Sequence, residues 1–241
     1  MPMALYRDTA VVLRTWKLGE ADRIVSLFTR DNGKVRGVAK GVRKSGSRFG
    51  SRLEPTCHVS VQLYRGKGDL DTITQVELIE RPEAVRDDYD LWVRASAMLE
   101  AVDHMTIDRE PNDVMFDMLV RALRTLAARR GPLVAPAFFL KLLALEGLEP
   151  LLDRCVGCGI DEPLVAFGFI EGGTQCPTCR TGVSLSAEAL HLLRQIFNGQ
   201  LGLALEMTAG STTAELDTLA TRLFEAHLER KLRSIALLEH H

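Results

Sequence analysis

A chain of 241 residues with 46% hydrophobic and 26% charged side chains is long enough for two domains with buried cores. It is too polar for a membrane span, since no apolar run approaches the roughly eighteen residues that one needs. The net charge of −2 hides a polarity: residues 1–80 hold 14 Lys and Arg against 9 Asp and Glu, whereas 81–241 hold 16 against 23. Local charge, not its sum, decides association with a polyanion, so the first eighty residues remain open as a nucleic-acid binder. Residues 1–7 show no basic stretch followed by an apolar core, so no secretory signal is read. Four paired cysteines and a lone Cys57 suit a reducing cytoplasm better than a disulfide framework. The ending Leu238-Glu239-His240-His241 reads as the start of an expression tag and is set aside.

Residues 1–80 read as β. Apolar, β-branched segments fall at 9–16, 24–29, 34–38, 57–64 and 72–79, with turn signals at Asp31-Asn32-Gly33 and Gly66-Lys67-Gly68-Asp69. Val59, Val61 and Leu63 alternate with Ser60, Gln62 and Tyr64, the period of a half-buried strand. Five short strands in about eighty residues predict a small barrel, of which the five-stranded OB type is the nucleic-acid-binding choice. Cys57 reads as a small core or strand residue. Lys34, Arg36, Lys40, Arg43, Lys44, Arg48 and Arg52 form a basic run without one acid, interleaved with glycine and serine. Such a run suits a loop laid along a phosphate backbone. Phe49 is a candidate base-stacking residue within it, and Arg14, Lys17 and Arg23 extend the surface. A solvated loop without a partner is the competing reading.

After Pro82 the period changes to that of helices. Val85, Tyr89, Trp92, Ala95, Leu99 and Val102 form one apolar stripe, with Trp92 expected in the core alongside Phe138 and Phe139. Asp87, Asp88 and Asp90 stand at the start of this helix, where acids favour the dipole. Asn112 is placed to cap a second helix carrying Met115, Leu119, Ala122 and Leu126, and 136–145 supplies a third. Helix resumes at Ser186. A last helix is expected from Thr212, with Thr212 and Glu215 at capping-box spacing and Leu216, Leu219, Leu223, Leu228 and Leu232 on its apolar face.

Between these helices, Cys155, Cys158, Cys176 and Cys179 form C-x2-C-x17-C-x2-C, with a strand over 164–170 and a turn at Gly172-Gly173 in the spacer. Two residues between thiolates let one turn aim both sulfurs at a single ion, and the spacer returns as a hairpin with the second pair. Four thiolates close a tetrahedral Zn²⁺ and leave no position for water, so one structural zinc is expected. Arg154 and Arg180 flank the ligands and can offset part of the centre's negative charge. A deaminase site is set aside because neither His58 nor His104 is followed two places on by Glu, and the proline lies inside the second pair, not before it. No G-x-S-x-G, Walker loop or dinucleotide fingerprint occurs, and Glu20 and Asp22 alone are too few acids for a metal-dependent nuclease. No catalytic residue is assigned. The architecture expected is therefore α+β and multidomain: an OB-type barrel over 1–80, a helical domain over 81–151 and 184–237, and a zinc ribbon-like insertion over 152–183.

The residues also carry a resemblance. Leu13-Arg14, Gly19-Glu20-Ala21-Asp22, Leu27-Phe28-Thr29 and Gly33-Lys34 resemble the opening of the RecO family of bacterial DNA-repair proteins. Ala39-Lys40-Gly41-Val42-Arg43, Ser47-Arg48-Phe49-Gly50, Leu53-Glu54-Pro55, Tyr64-Arg65-Gly66 and 70–75 continue the match. Phe138 to Leu148 with Pro150, the two cysteine pairs around Gly172-Gly173, and His227-Leu228 with Lys231-Leu232-Arg233-Ser234 extend it to the end. The resemblance implies an N-terminal OB domain, a helical domain and a zinc insertion. It implies a non-enzymatic, cytoplasmic mediator that binds single- and double-stranded DNA and anneals strands coated by single-strand binding protein. With RecR, such a mediator helps load RecA. It further implies that the helical part takes the acidic, apolar tail of single-strand binding protein, for which Arg222, Arg230, Lys231 and Arg233 are candidates. The alternative from the residues themselves is a zinc-ribbon module of transcription or RNA metabolism without annealing activity.

Overall fold

The computed structural model describes residues 4–235; the tag-like ending at 238–241 lies outside them. Five strands, β1 (Leu5–Leu18), β2 (Asp22–Thr29), β3 (Gly33–Ala39), β4 (His58–Tyr64) and β5 (Leu70–Glu80), close into a barrel in the order β1-β2-β3-β5-β4. β3 and β5 run parallel and the other pairs antiparallel, the connectivity of an OB-type barrel. β1 is longer than its apolar segment implies because it serves two partners. Its first half pairs with β4 and its second with β2, and a bulge between Val12 and Arg14 bends it from one to the other. Val59, Val61 and Leu63 face inward onto Val25, Leu27 and Ile73, as the alternation requires. A single 3-10 turn, Gly50–Leu53, follows the basic run and sends Phe49 and Leu53 into the same core. Cys57 is buried there too, and burial pushes its thiol up.

Strands give way to helices where expected: β5 ends at Glu80, and α1 (Glu83–Arg86), α2 (Tyr89–Met105) and α3 (Asp113–Arg129) follow. The Asp88 carboxylate accepts the Leu91 N–H at 3.1 Å, and the Asn112 side-chain oxygen accepts the Met115 N–H at 2.9 Å, so both helices start at capping residues. α3 lays Phe116 against the barrel, 5.9 Å from Phe28 and 5.8 Å from His58 between ring centroids. Trp92 is not the core residue expected: it is 40% exposed. α2 is apolar on more than one side, and Leu91, Val93, Ala97 and Met98 take the buried positions instead.

The chain falls into two compact units, one comprising the residues up to Ala128 with those from Leu232, the other Arg129–Lys231. In the first unit the tie between barrel and helices is a buried carboxylate. Asp71, fully buried on β5, accepts from the Tyr6 hydroxyl at 2.5 Å, from Arg109 at 3.0 and 3.3 Å, and from the Gly66 N–H at 3.2 Å. Burial alone would push Asp71 up; the bonds from Arg109, Tyr6 and Gly66 outweigh it and hold the carboxyl below its ordinary range. Arg109 lies in the loop between α2 and α3, and its N–H donates to the Lys34 carbonyl at 2.9 Å. Gly33 lets the loop sit that close. It turns with a φ of +66°, and a Cβ there would stand 2.1 Å from the Glu110 carbonyl oxygen.

The second unit packs α4 (Val134–Leu145), α5 (Ala187–Phe197), α6 (Leu201–Glu206) and α7 (Ser211–Leu228) with a small sheet. That sheet holds β6 (Ala166–Gly168), β7 (Gly173–Gln175) and β8 (Val183–Ser184) in the order β7-β6-β8. Phe139 of α4 and Phe224 of α7 meet with ring centroids 5.1 Å apart. Helix resumes at Ser186, as expected, and its hydroxyl caps α5. The capping box expected at Thr212 and Glu215 is not formed. Thr213 accepts the Gly210 N–H at 2.9 Å, and Glu215 reaches back to the Ser186 N–H and hydroxyl at 2.7 and 2.6 Å, tying α7 to the start of α5. α7 ends at Leu228, so Leu232 lies beyond it, buried but not helical.

Asp71→Asn removes the anion shared by Tyr6 and Arg109. We expect a loss of about 3 kcal/mol in urea unfolding, at the low end for a broken buried pair because the Arg109 side chain is 32% exposed. Because the folded carboxyl is held low, its contribution is complete at neutral pH and fades as pH falls through the depressed value. The variant should therefore also lose stability less steeply in acid. A loss below about 1 kcal/mol would remove Asp71 from this role.

Candidate nucleic-acid interface and metal centre

The basic residues do not form one surface. Lys34 and Arg36 are drawn into ion pairs with the end of α2 and the loop after it. The Lys34 ammonium lies 3.6 Å from Asp103 and 3.7 Å from Asp108 and donates to the Asp103 carbonyl at 2.6 Å, while Arg36 donates to Asp108 at 3.1 Å. Their charge is offset within the fold. At the β1–β2 turn the situation is the reverse. Lys17 and Arg23 stand directly opposite each other in the β1–β2 ladder. Like charges so placed oppose strand pairing, and an external anion would relieve them.

The segment that follows β3 is pinned to this same turn. The Arg43 N–H donates to the Ala21 carbonyl at 3.0 Å, the Arg43 guanidinium to the Gly19 carbonyl at 3.2 Å, and the Gly41 N–H to the Asp22 carboxylate at 2.7 Å. Lys17, Arg23, Lys40, Arg43 and Lys44 are thereby gathered at one end of the barrel. Lys17, Lys40, Arg43 and Lys44 are exposed and Arg23 half-buried. Among the described residues, none of Lys17, Arg23, Lys40 and Lys44 has an ion-pair partner. Arg48 and Arg52 continue the exposed basic edge, Arg52 donating to the Arg48 carbonyl at 2.7 Å.

Phe49 corrects the sequence reading. It is 1% exposed and part of the barrel core, with Arg48 lying over its ring at 4.9 Å, so no base can reach it. The local glycine content suggested a segment without a core; the 3-10 turn makes Phe49 its anchor. An aromatic on the outer face of the barrel is Trp16, half-buried on β1 with the Arg14 guanidinium 5.0 Å from its ring centre. Its signal in the sequence is the alternation that sets Trp16 out of phase with the inward residues, and the bulge after Val12 obscures that phase.

In the second unit the four cysteine sulfurs lie within 4.8 Å of one another, Cys158 and Cys176 at 3.7 Å. Tetrahedral thiolates on a zinc-sized ion stand roughly 3.8 Å apart, so the residues fit one metal ion. Gly157 is required in the first turn, because a Cβ there would lie 3.0 Å from the Cys179 sulfur. The Cys176 N–H donates to the Cys155 sulfur at 3.3 Å. With other backbone donors it holds the Cys155 thiol down to about 6. The Cys179 N–H lowers Cys176 in the same way. Cys179 is pushed up to about 12 by the Cys158 and Cys176 sulfurs beside it, crowding that a divalent cation relieves. Thr174 donates to the Arg154 carbonyl at 3.1 Å, tying β7 to the first cysteine turn.

A closed OB-type barrel with a basic rim, joined to helices and a four-cysteine module, defines a nucleic-acid-handling class of protein. The comparisons narrow it. The family described as "Recombination protein O N terminal" matches residues 3–82, and "Recombination protein O C terminal" matches 86–236. The chain is 42% identical to a "DNA repair protein RecO" of Frankia casuarinae over 243 residues, covering 98% of this chain and 99% of that protein. Proteins of the same name from a Nocardioides species and from Thermobifida fusca are 42% and 40% identical, with 98% of this chain and 99% of each relative covered. The chain belongs to the RecO family of DNA-repair proteins. Family membership sets aside the reading as a transcription or RNA-metabolism module. No helix among the described residues is long and apolar enough to cross a membrane.

Cys176→Ser should lower bound metal from about one ion per chain to a small fraction of that, since a closed site needs all four thiolates. Amide exchange should accelerate first in 152–184 while the barrel keeps its protection. Retained metal in the variant would contradict the four-ligand site.

Proposed function

We propose that this protein is a recombination mediator that holds single- and double-stranded DNA at the β1–β2 turn of its barrel. It anneals complementary strands coated by single-strand binding protein and, with RecR, helps load RecA. The observation that supports this reading most is the gathering of Lys17, Arg23, Lys40, Arg43 and Lys44, none with an ion-pair partner among the described residues, on a barrel where Lys34 and Arg36 are paired within the fold. Annealing makes and breaks no covalent bond. What it requires is that phosphate repulsion between two strands be offset while their bases stay accessible, and a pinned, glycine-rich basic segment does this without burying the strand.

The metal we assign is zinc, in a structural role, because an all-thiolate tetrahedral set suits it and leaves no open position. It would hold together a module whose strands are three, three and two residues long. For the acidic, apolar tail of single-strand binding protein we propose the cleft in the second unit lined by Phe169, Val183, Leu219 and Arg222. There the Arg222 guanidinium, 4.6 Å from the centre of the Phe169 ring, supplies a cation beside an apolar floor.

The triple variant Lys40→Ala, Arg43→Ala, Lys44→Ala tests the DNA surface. Each cation that neutralises a phosphate contributes about 0.7 to the single-strand salt slope, so the log–log slope should flatten by about 2 and annealing of coated strands should slow accordingly. An unchanged slope and annealing rate would overturn the assignment.

A further inference from the structure

The cations at the barrel end read charge, which single strands and duplexes share. A second feature of the same barrel distinguishes them. On the outer face of the sheet, Trp16 of β1 is in register with Ile24 of β2, Ile24 with Val38 of β3, and Val38 with Thr72 of β5. All four are half-buried, a continuous row across four strands in which the first three side chains are apolar and the last is a threonine. The neighbouring row runs Arg14, Ser26, Arg36 in the same registers. There the end of α2 covers the sheet: Ser26 is buried and donates to Asp103 at 3.4 Å. The Trp16 row is therefore the first that α2 leaves uncovered. It is bordered by the Arg14 guanidinium over the indole and lies on the strands that lead to Lys17, Arg23 and Lys40.

We infer that this row, with Trp16 as its platform and Arg14 as its cation, stacks the unpaired bases of a single strand whose phosphates lie on the basic rim. The inference rests on the proposed DNA-binding reading and adds the discrimination that the rim lacks. A base joins the pair by stacking on the guanidinium plane or by displacing it from the indole; both routes require a base face that a duplex hides. Ile24 and Val38 give the next base an apolar floor. The charges on either side favour this occupant over an apolar protein segment: Arg14 borders the row on one side, and the basic rim adjoins the other. Trp16 also takes the role that the buried Phe49 cannot fill.

The chain has two tryptophans, which makes the test direct. In a Trp92→Phe protein, Trp16 is the sole reporter. Oligo(dT) should quench its emission to saturation, while a duplex of equal length, bound to the same occupancy, should leave it nearly unchanged. Trp16→Ala should weaken oligo(dT) binding about tenfold or more, keep the salt slope, and leave duplex affinity within about twofold. Trp16→Phe should recover most of the loss, which a merely structural tryptophan would not show selectively for single strands. Equal effects of Trp16→Ala on oligo(dT) and duplex, or no effect on either, would overturn the stacking role while leaving the basic rim standing. Failure of the native protein to bind any DNA would overturn both.

Discussion

The first unit depends on one buried anion. Asp71 takes hydrogen bonds from β1 through Tyr6, from the turn before β5 through Gly66, and from the loop between α2 and α3 through Arg109. A carboxylate taken fully out of water is tolerated only when so satisfied, and satisfying it fixes where the loop must run. With Arg109 held, its N–H meets Lys34, Asp108 lies beside Lys34 and Arg36, and Asp103 at the end of α2 reaches the same lysine.

That placement sorts the barrel's charge. Lys34 and Arg36 are offset by acids more than sixty residues away in sequence, whereas the cations around the β1–β2 turn have no ion-pair partner among the described residues. A chain of net charge −2 can thus gather cations at one turn, because the acids that offset Lys34 and Arg36 lie elsewhere in the fold. On the proposed reading, binding specificity would divide between two features of one barrel: a rim that meets phosphate in any strand, and the Trp16 row, which meets exposed bases. The four-cysteine module belongs to the other unit and organises its own short strands; nothing in its closed ligand set calls for a part in strand chemistry.

Much of this was legible in the residues. Strand alternation, the change of period after Pro82, the capping residue Asn112, the resumption of helix at Ser186 and the cysteine spacing are local signals, and each corresponds to a local structure. What escaped was decided by contacts distant in sequence. Nothing near Lys34 announces Asp103 or Asp108, so seven basic residues in a row read as one surface. Phe49 looked exposed because its neighbours are glycine, serine and arginine, yet a 3-10 turn carries it inward. Trp92 lies on a stripe that periodicity favours, but α2 is apolar on several sides and buries others. Glu215 stands at capping-box spacing but binds the capping residue of a different helix, since Ser186 lies within its reach.

On the proposed reading, phosphate is held by the cations gathered at the β1–β2 turn and by little else. The salt dependence of single-strand affinity for the native protein measures it most directly. Five neutralised phosphates give a log–log slope of about −3.5. A value near that supports the charge sorting described. A slope shallower than about −1 would mean that the rim does not carry the binding, and one steeper than about −6 would mean that Lys34, Arg36 or the second unit contributes as much.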